Sequence, residues 1–189
     1  MDCYKQRADR HNGELAGDQS PATVYIGTLG GGVFELIYHQ SWDIDADGKS
    51  GIAVWRPDSG IWYVVPSKSL TSYTSTKWGV SGDKPVPGDY DSDGKSDIAV
   101  WRPSIGIWYT LPSNSPGTYI ATQWGVSSDI PVPGDYDGDG KDDIAVYRPS
   151  TGVWYVMLSG TPGTYTARQW GMSEDKPISS LTGILNSIP

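Results

Sequence analysis

Asp89-Tyr90-Asp91-Ser92-Asp93-Gly94-Lys95-Ser96-Asp97-Ile98-Ala99-Val100 decides the fold of this chain. The same reading returns at Asp135-Tyr136-Asp137-Gly138-Asp139-Gly140-Lys141-Asp142-Asp143 and, less completely, at Asp43-Ile44-Asp45-Ala46-Asp47-Gly48-Lys49, one copy every 46 residues. The register extends outward from the loop. Trp62, Trp108 and Trp154 coincide, as do Trp78, Trp124 and Trp170, and Arg56, Arg102 and Arg148. A fixed period of this size is the mark of a tandem repeat, each copy one supersecondary unit.

Inside each unit the pattern is all strand and turn. The middle unit holds four strand-like runs, at Pro85–Tyr90, Asp97–Arg102, Ile107–Leu111 and Tyr119–Gly125. Four short strands with their turns fill about 46 residues, the size of one β-propeller blade. Pro57-Asp58-Ser59-Gly60, Pro103-Ser104-Ile105-Gly106 and Pro149-Ser150-Thr151-Gly152 join the second run to the third, with turn formers where a hairpin needs them. Pro85 and Pro87 lie two apart, as do Pro131 and Pro133, so their missing N–H groups face one side. That suits an edge strand, here the innermost of a blade.

The expected fold is therefore all-β, with about three four-stranded blades at 34–79, 80–125 and 126–171 inside a repeat region of 22–189. Residues 172–189 would open a fourth unit, but Leu181 stands where its Asp is due. Residues 1–21 are charged and carry no apolar core of a signal peptide, which reads as a disordered leader. Closed propellers use four to eight blades. Three blades imply a fragment, an open stack or a protomer that closes by association, and the open ends are expected to form a homo-oligomer.

The acidic loop specifies its own chemistry. Carboxylates at positions one, three and five turn toward one point, and Gly at position six allows the reversal that wraps chain around an ion. The donors expected for metal are Asp43, Asp45 and Asp47 in the first loop, Asp89, Asp91, Asp93 and Asp97 in the second, and Asp135, Asp137, Asp139 and Asp143 in the third. The backbone carbonyls of Lys49, Lys95 and Lys141 add a seventh-position oxygen. An all-oxygen set without His or Cys favours Ca2+ over Zn2+. The first loop is the weakest, since Gly51 takes the ninth position. An EF-hand is excluded because position twelve is Val54, Val100 or Val146 in a strand-like run, where a bidentate Glu and a helix are required. The alternative without an ion is an Asp-rich turn held by its own hydrogen bonds. On these grounds, replacing Asp93 or Asp139 should remove most of the calcium effect, and replacing Asp47 less.

Charge points the same way. The net charge is −8, and twelve of the 22 acidic residues sit in the loops or beside them. Three divalent ions would bring the balance to about −2. An acidic chain with no basic stripe is not a nucleic-acid binder. No apolar run is long enough for membrane insertion. Cys3 is the only cysteine, so no intrachain disulfide forms.

The loop followed by Ile-Ala-Val, repeated once per unit, resembles the FG-GAP/VCBS repeats of bacterial extracellular proteins, and the loop is similar to the calcium loops of integrin alpha-subunit propellers. The resemblance covers about residues 34–180. It implies a β-propeller with Ca2+ between the first and second strands of each blade, in a secreted or cell-surface setting where calcium fills weak sites. Gly51, the absent fourth loop and the small number of repeats depart from the family's usual seven-bladed pattern.

Function is less specified. The recurring Trp residues read as packing between blades, and the recurring Arg residues as structural hydrogen bonds to turn carbonyls or a loop carboxylate. Trp42, Trp55 and Trp101 do not recur in all units and are better candidates for stacking on a glycan. No nucleophile, base or phosphate-binding pattern is found, so no catalytic residue is expected. The expected role is a non-catalytic calcium-binding extracellular module for adhesion or ligand recognition, engaging a protein or glycan at the cell surface. The alternatives are a lectin-like propeller or an accessory domain of a secreted hydrolase.

Overall fold

The structure, a computed structural model, describes the backbone of residues 23–27 and 33–37 and residues 42–69 and 71–178. The expected leader at 1–21 and the end of the partial unit, 179–189, lie outside the described residues. Thirteen strands and no helix occur among the described residues. β1 (Thr23–Gly27) pairs with β2 (Val33–Ile37). β3 (Ile52–Arg56), β4 (Ile61–Val65) and β5 (Thr74–Lys77) form a three-stranded sheet. β6 (Lys84–Pro85), β7 (Ile98–Arg102), β8 (Ile107–Leu111) and β9 (Ile120–Gln123) form the next. β10 (Ile130–Pro131), β11 (Ile144–Arg148), β12 (Val153–Met157) and β13 (Tyr165–Gln169) form the last. Each of these three sheets is an antiparallel meander within one 46-residue unit, and none closes on itself as a barrel. They are repeated blades, an all-β array of partial-propeller form.

The hairpin turns show why the sequence folds this way. Gly60, Gly106 and Gly152 have φ near +65° and donate their N–H to the carbonyls of Arg56, Arg102 and Arg148. Their own carbonyls accept from Trp78, Trp124 and Trp170 N, clamping the fourth strand. A side chain on Gly106 would meet the Gly125 carbonyl, so only glycine fits. The inner strand behaves as its prolines require. Val86 N donates to Ala99 O and Val132 N to Ala145 O, while the flanking prolines place no N–H on the open side. This strand is shorter than its sequence suggests. It spans Lys84–Pro85 plus a bridge at Gly88↔Asp97, because the chain leaves the ladder at Asp89 to form the acidic loop.

Blades pack through a repeated contact. Val100 of β7 enters a cluster with Trp62 and Val64 of the preceding blade, and Val146 of β11 enters one with Trp101 and Trp108. Trp78 Nε1 donates across the seam to Tyr109 O (3.0 Å), and Trp124 Nε1 to Tyr155 O (3.2 Å). These indoles therefore join neighbouring blades as well as ending their own. Trp42, expected as a stacking platform, instead stacks on Trp62 at 5.8 Å and is buried, and Trp101 is fully buried. Apolar area favours burying an indole wherever a neighbour can cover it.

The recurring arginines have a definite partner. Arg102 makes a bidentate pair with Asp83 (2.7 and 2.9 Å), and Arg148 with Asp129 (both 2.9 Å), while each guanidinium lies over a tyrosine ring at about 4.5 Å. Arg56 breaks the series: Ile37 stands where its Asp is due, and it bonds Tyr63 Oη at 3.3 Å. Asp129 is buried and also caps its turn by accepting from Val126 N. Asp129→Ala should lower stability by about 1–3 kcal/mol in urea unfolding. That is below the cost of breaking a fully buried pair, because the guanidinium keeps some solvent. A loss below about 0.5 kcal/mol would show that the pair contributes only surface charge.

Candidate metal centre

Each acidic loop is built on its first aspartate. Asp89 Oδ1 accepts from Ser92 N (2.7 Å) and Asp93 N (3.3 Å), and Oδ2 from Gly94 N (2.8 Å). Asp135 accepts from Gly138, Asp139 and Gly140 N, and Asp43 from Asp45, Asp47 and Gly48 N. One carboxylate thus gathers the amides of the turn and sets the wrap. Left-handed φ at Gly48, Gly94 and Gly140 closes it.

The ninth residue completes the site from the other side. The Gly88↔Asp97 and Gly134↔Asp143 bridges bring the chain back beside its loop. Asp97 and Asp143 are wholly buried there. Asp97 accepts from Tyr90 N (2.9 Å) and Ser113 N (2.7 Å), and Asp143 from Tyr136 N (3.0 Å) and Ser159 N (2.6 Å). One oxygen from each of Asp89, Asp91 and Asp97 lies within 4.8 Å of the others, and the same holds for Asp135, Asp137 and Asp143. In the first loop, where Gly51 removes the ninth carboxylate, the converging trio is Asp43, Asp45 and Asp47.

Asp93 and Asp139 stand outside these trios. Asp93 spends Oδ1 on Lys95 N (2.9 Å) and Oδ2 on Ser113 Oγ (2.6 Å), and Asp139 bonds Lys141 N and Ser159 Oγ in the same way. The position-seven lysines thus face the loop through their amides. Asp97 and Asp143 are the more telling positions for mutation. Ser113 and Ser159, with Ser67 at the matching position, were not singled out from the sequence, nor were Asp83 and Asp129. The signal was present, since both sets keep the 46-residue period.

Electrostatics fit a cation. Burial pushes the Asp97 carboxyl up to about 7; the amides of Ser113 and Tyr90 pull against it, and the charges of Asp91 and Asp89 add to it. Burial also raises Asp91 and Asp143. A buried carboxylate facing two others is costly to ionise alone, and a divalent ion among them reverses that cost. The donor set is entirely hard oxygen, as Ca2+ requires.

Successive loops also touch. Asp142 N donates to Asp89 O (2.7 Å), Asp89 N donates to Asp142 Oδ2 (2.9 Å), and Ser96 N donates to Asp43 O. The acidic turns are therefore held in one row along the blades.

Among the described residues, no helix is long and apolar enough to cross a membrane. No curated protein and no solved structure matches the chain. The family model for an FG-GAP-like repeat matches residues 89–146, and that for the FG-GAP repeat matches residues 130–163. Repeats of this kind are found in integrin-like adhesion or ligand-binding modules, are typically extracellular and are generally non-catalytic. The two matches overlap across the third loop and take in both complete carboxylate trios, so residues 89–163 carry FG-GAP-type repeats.

Proposed function

We infer that the chain is a calcium-binding extracellular module for adhesion or ligand recognition, with its catalytic capacity nil and its loops serving as structural cation sites. The observation that carries the calcium reading is the return of a buried ninth carboxylate, Asp97 or Asp143, to the mouth of its own loop. Asp89, Asp91 and Asp97 would hold one ion, Asp135, Asp137 and Asp143 a second, and Asp43, Asp45 and Asp47 a weaker third. Asp93 and Asp139 would shape the loop. A bound Ca2+ supplies charge neutralisation and ties the first strand of a blade to its second, so binding energy becomes folding energy. The ligand surface is then whatever the rigid blades display.

Calorimetric titration of metal-free protein tests this. Two sites of similar affinity and a weaker third are expected, and Asp97→Ala and Asp143→Ala should each delete one of the strong sites. Absence of any Ca2+ heat, or equal binding by the double variant, would refute it. The glycan reading keeps one supporting observation: Trp170 is the only strongly exposed indole among the described residues. Quenching of tryptophan fluorescence by a glycan panel, lost in Trp170→Ala, is the expected result if that reading holds.

A further inference from the structure

The first and last described blades carry opposite halves of the contact that already joins the blades. At each internal seam one blade offers an indole face and the next offers the valine of its second strand. Val100 and Val146 are buried in this way, against Trp62 and Trp108 respectively. At the first blade the equivalent Val54 is 56% exposed, and Ile52 beside it is exposed as well. At the last blade, Trp154, Val156 and Leu158 line an open cavity of about 530 Å³ whose rim is Trp170. Trp170 is 72% exposed, whereas Trp78 and Trp124 are half-buried under the following blade. One end is a socket and the other is its plug.

The match extends to individual groups. Trp78 packs against Tyr119 at 5.7 Å and Trp124 against Tyr165 at 5.4 Å. One period before Tyr119 stands Tyr73, which is exposed. Trp78 and Trp124 donate to the carbonyls of Tyr109 and Tyr155, and the residue one period before Tyr109 is Tyr63. Trp170 therefore fits Tyr73 and the Tyr63 carbonyl of a first blade.

Charge gives an independent indication. Asp83 and Asp129 pair with Arg102 and Arg148, 19 residues on. Asp175 keeps the turn of that series, accepting from Met172 N at 2.8 Å as Asp83 does from Val80 N. No guanidinium or ammonium bridges Asp175 among the described residues. Arg56 has the converse property: it has lost its Asp to Ile37, and among the described residues no carboxylate bridges it. Asp175-Lys176-Pro177-Ile178 repeats the inner-strand sequence Asp83-Lys84-Pro85-Val86, yet Ile178 is exposed where Val86 is buried. The described blades thus run from a base without its acid to an acid without its base.

We propose that two copies of this chain associate head to tail, the last blade of one covering the first blade of the other, with Asp175 of each copy bound to Arg56 of its neighbour and Trp170 packed on Tyr73. The contact continues the internal seam, so its geometry is already present twice within the chain. It is heterologous, and such contacts close into rings when the rotation permits. Two copies joined in this way would set six of the described blades in succession, inside the range of closed propellers. This inference does not depend on the cation reading.

Sedimentation velocity of the 189-residue chain at constant Ca2+ tests it across a concentration series. The expected result is a concentration-dependent dimer that both Val54→Asp and Trp170→Ala reduce to monomer. Both positions are exposed in the single chain, and near-UV circular dichroism checks that the variants remain folded. Asp175→Arg and Arg56→Asp should each weaken association by roughly tenfold or more, since every contact then sets like charges together. Mixing these two variants in equal amounts should restore the dimer, because one contact is then native and the other is reversed in sign. A wild-type chain that stays monomeric throughout overturns the proposal, as would a dimer that survives Val54→Asp and Trp170→Ala. Failure of the charge-reversed mixture to reassociate, with both variants folded, also overturns it.

Discussion

Removing divalent ions with EDTA should lower the melting temperature of this protein by roughly 10–20 °C. The argument is one of mass action. A site that binds only the folded chain adds about 2.7 kcal/mol when free calcium exceeds its dissociation constant a hundredfold, and two complete trios act together. For a domain of this length each kcal/mol moves the midpoint by about 2–4 °C. Asp97→Ala or Asp143→Ala should each remove about half of the shift, and Asp47→Ala less. Differential scanning calorimetry with and without Ca2+ reads the effect. Identical curves in the two conditions would mean that the turns are held by the Asp89 and Asp135 amide contacts alone.

Trp108→Ala should cost about 3–5 kcal/mol, while the same change at Trp154 should cost less than half as much in the isolated chain. The two residues occupy one position of the repeat and make the same hydrogen bond, Trp108 to Trp124 O at 3.1 Å and Trp154 to Trp170 O at 2.9 Å. They differ in cover. Trp108 lies fully buried against Val146 of the next blade, and Trp154 faces the open cavity. Deleting a packed indole leaves a void its neighbours cannot fill, whereas a half-open one leaves solvent. Urea unfolding of both variants measures the difference. Equal losses would show that the indole stabilises its own blade alone, and the seam would then carry little energy.

Much of this protein was legible from residue order because its information is local and repeated. Turns need Gly at positive φ, strands need short apolar runs, and prolines need an edge. All three requirements are met by residues close in sequence, at Gly106, Val100 and Pro85. The acidic loops were legible for the same reason, since Asp89 gathers amides no more than five residues away.

What spacing could not rank was the carboxylates within a loop. Asp93 lies nearer to Asp89 in sequence than Asp97 does, yet Asp97 joins the trio and Asp93 turns to Ser113. A backbone ladder decides that, because the Gly88↔Asp97 bridge folds the ninth residue back against the first. The fates of identical side chains were decided by cover. Val54 and Val100, and Trp154 and Trp108, match residue for residue, and they differ in whether a neighbouring blade covers them. The sequence by itself determined the period, the strands, the turns and the acidic character of the loops, all of which arise within a few residues of backbone. Tertiary structure alone decided which carboxylates meet and which faces stay open, because burial belongs to the pair of surfaces in contact and not to the residue.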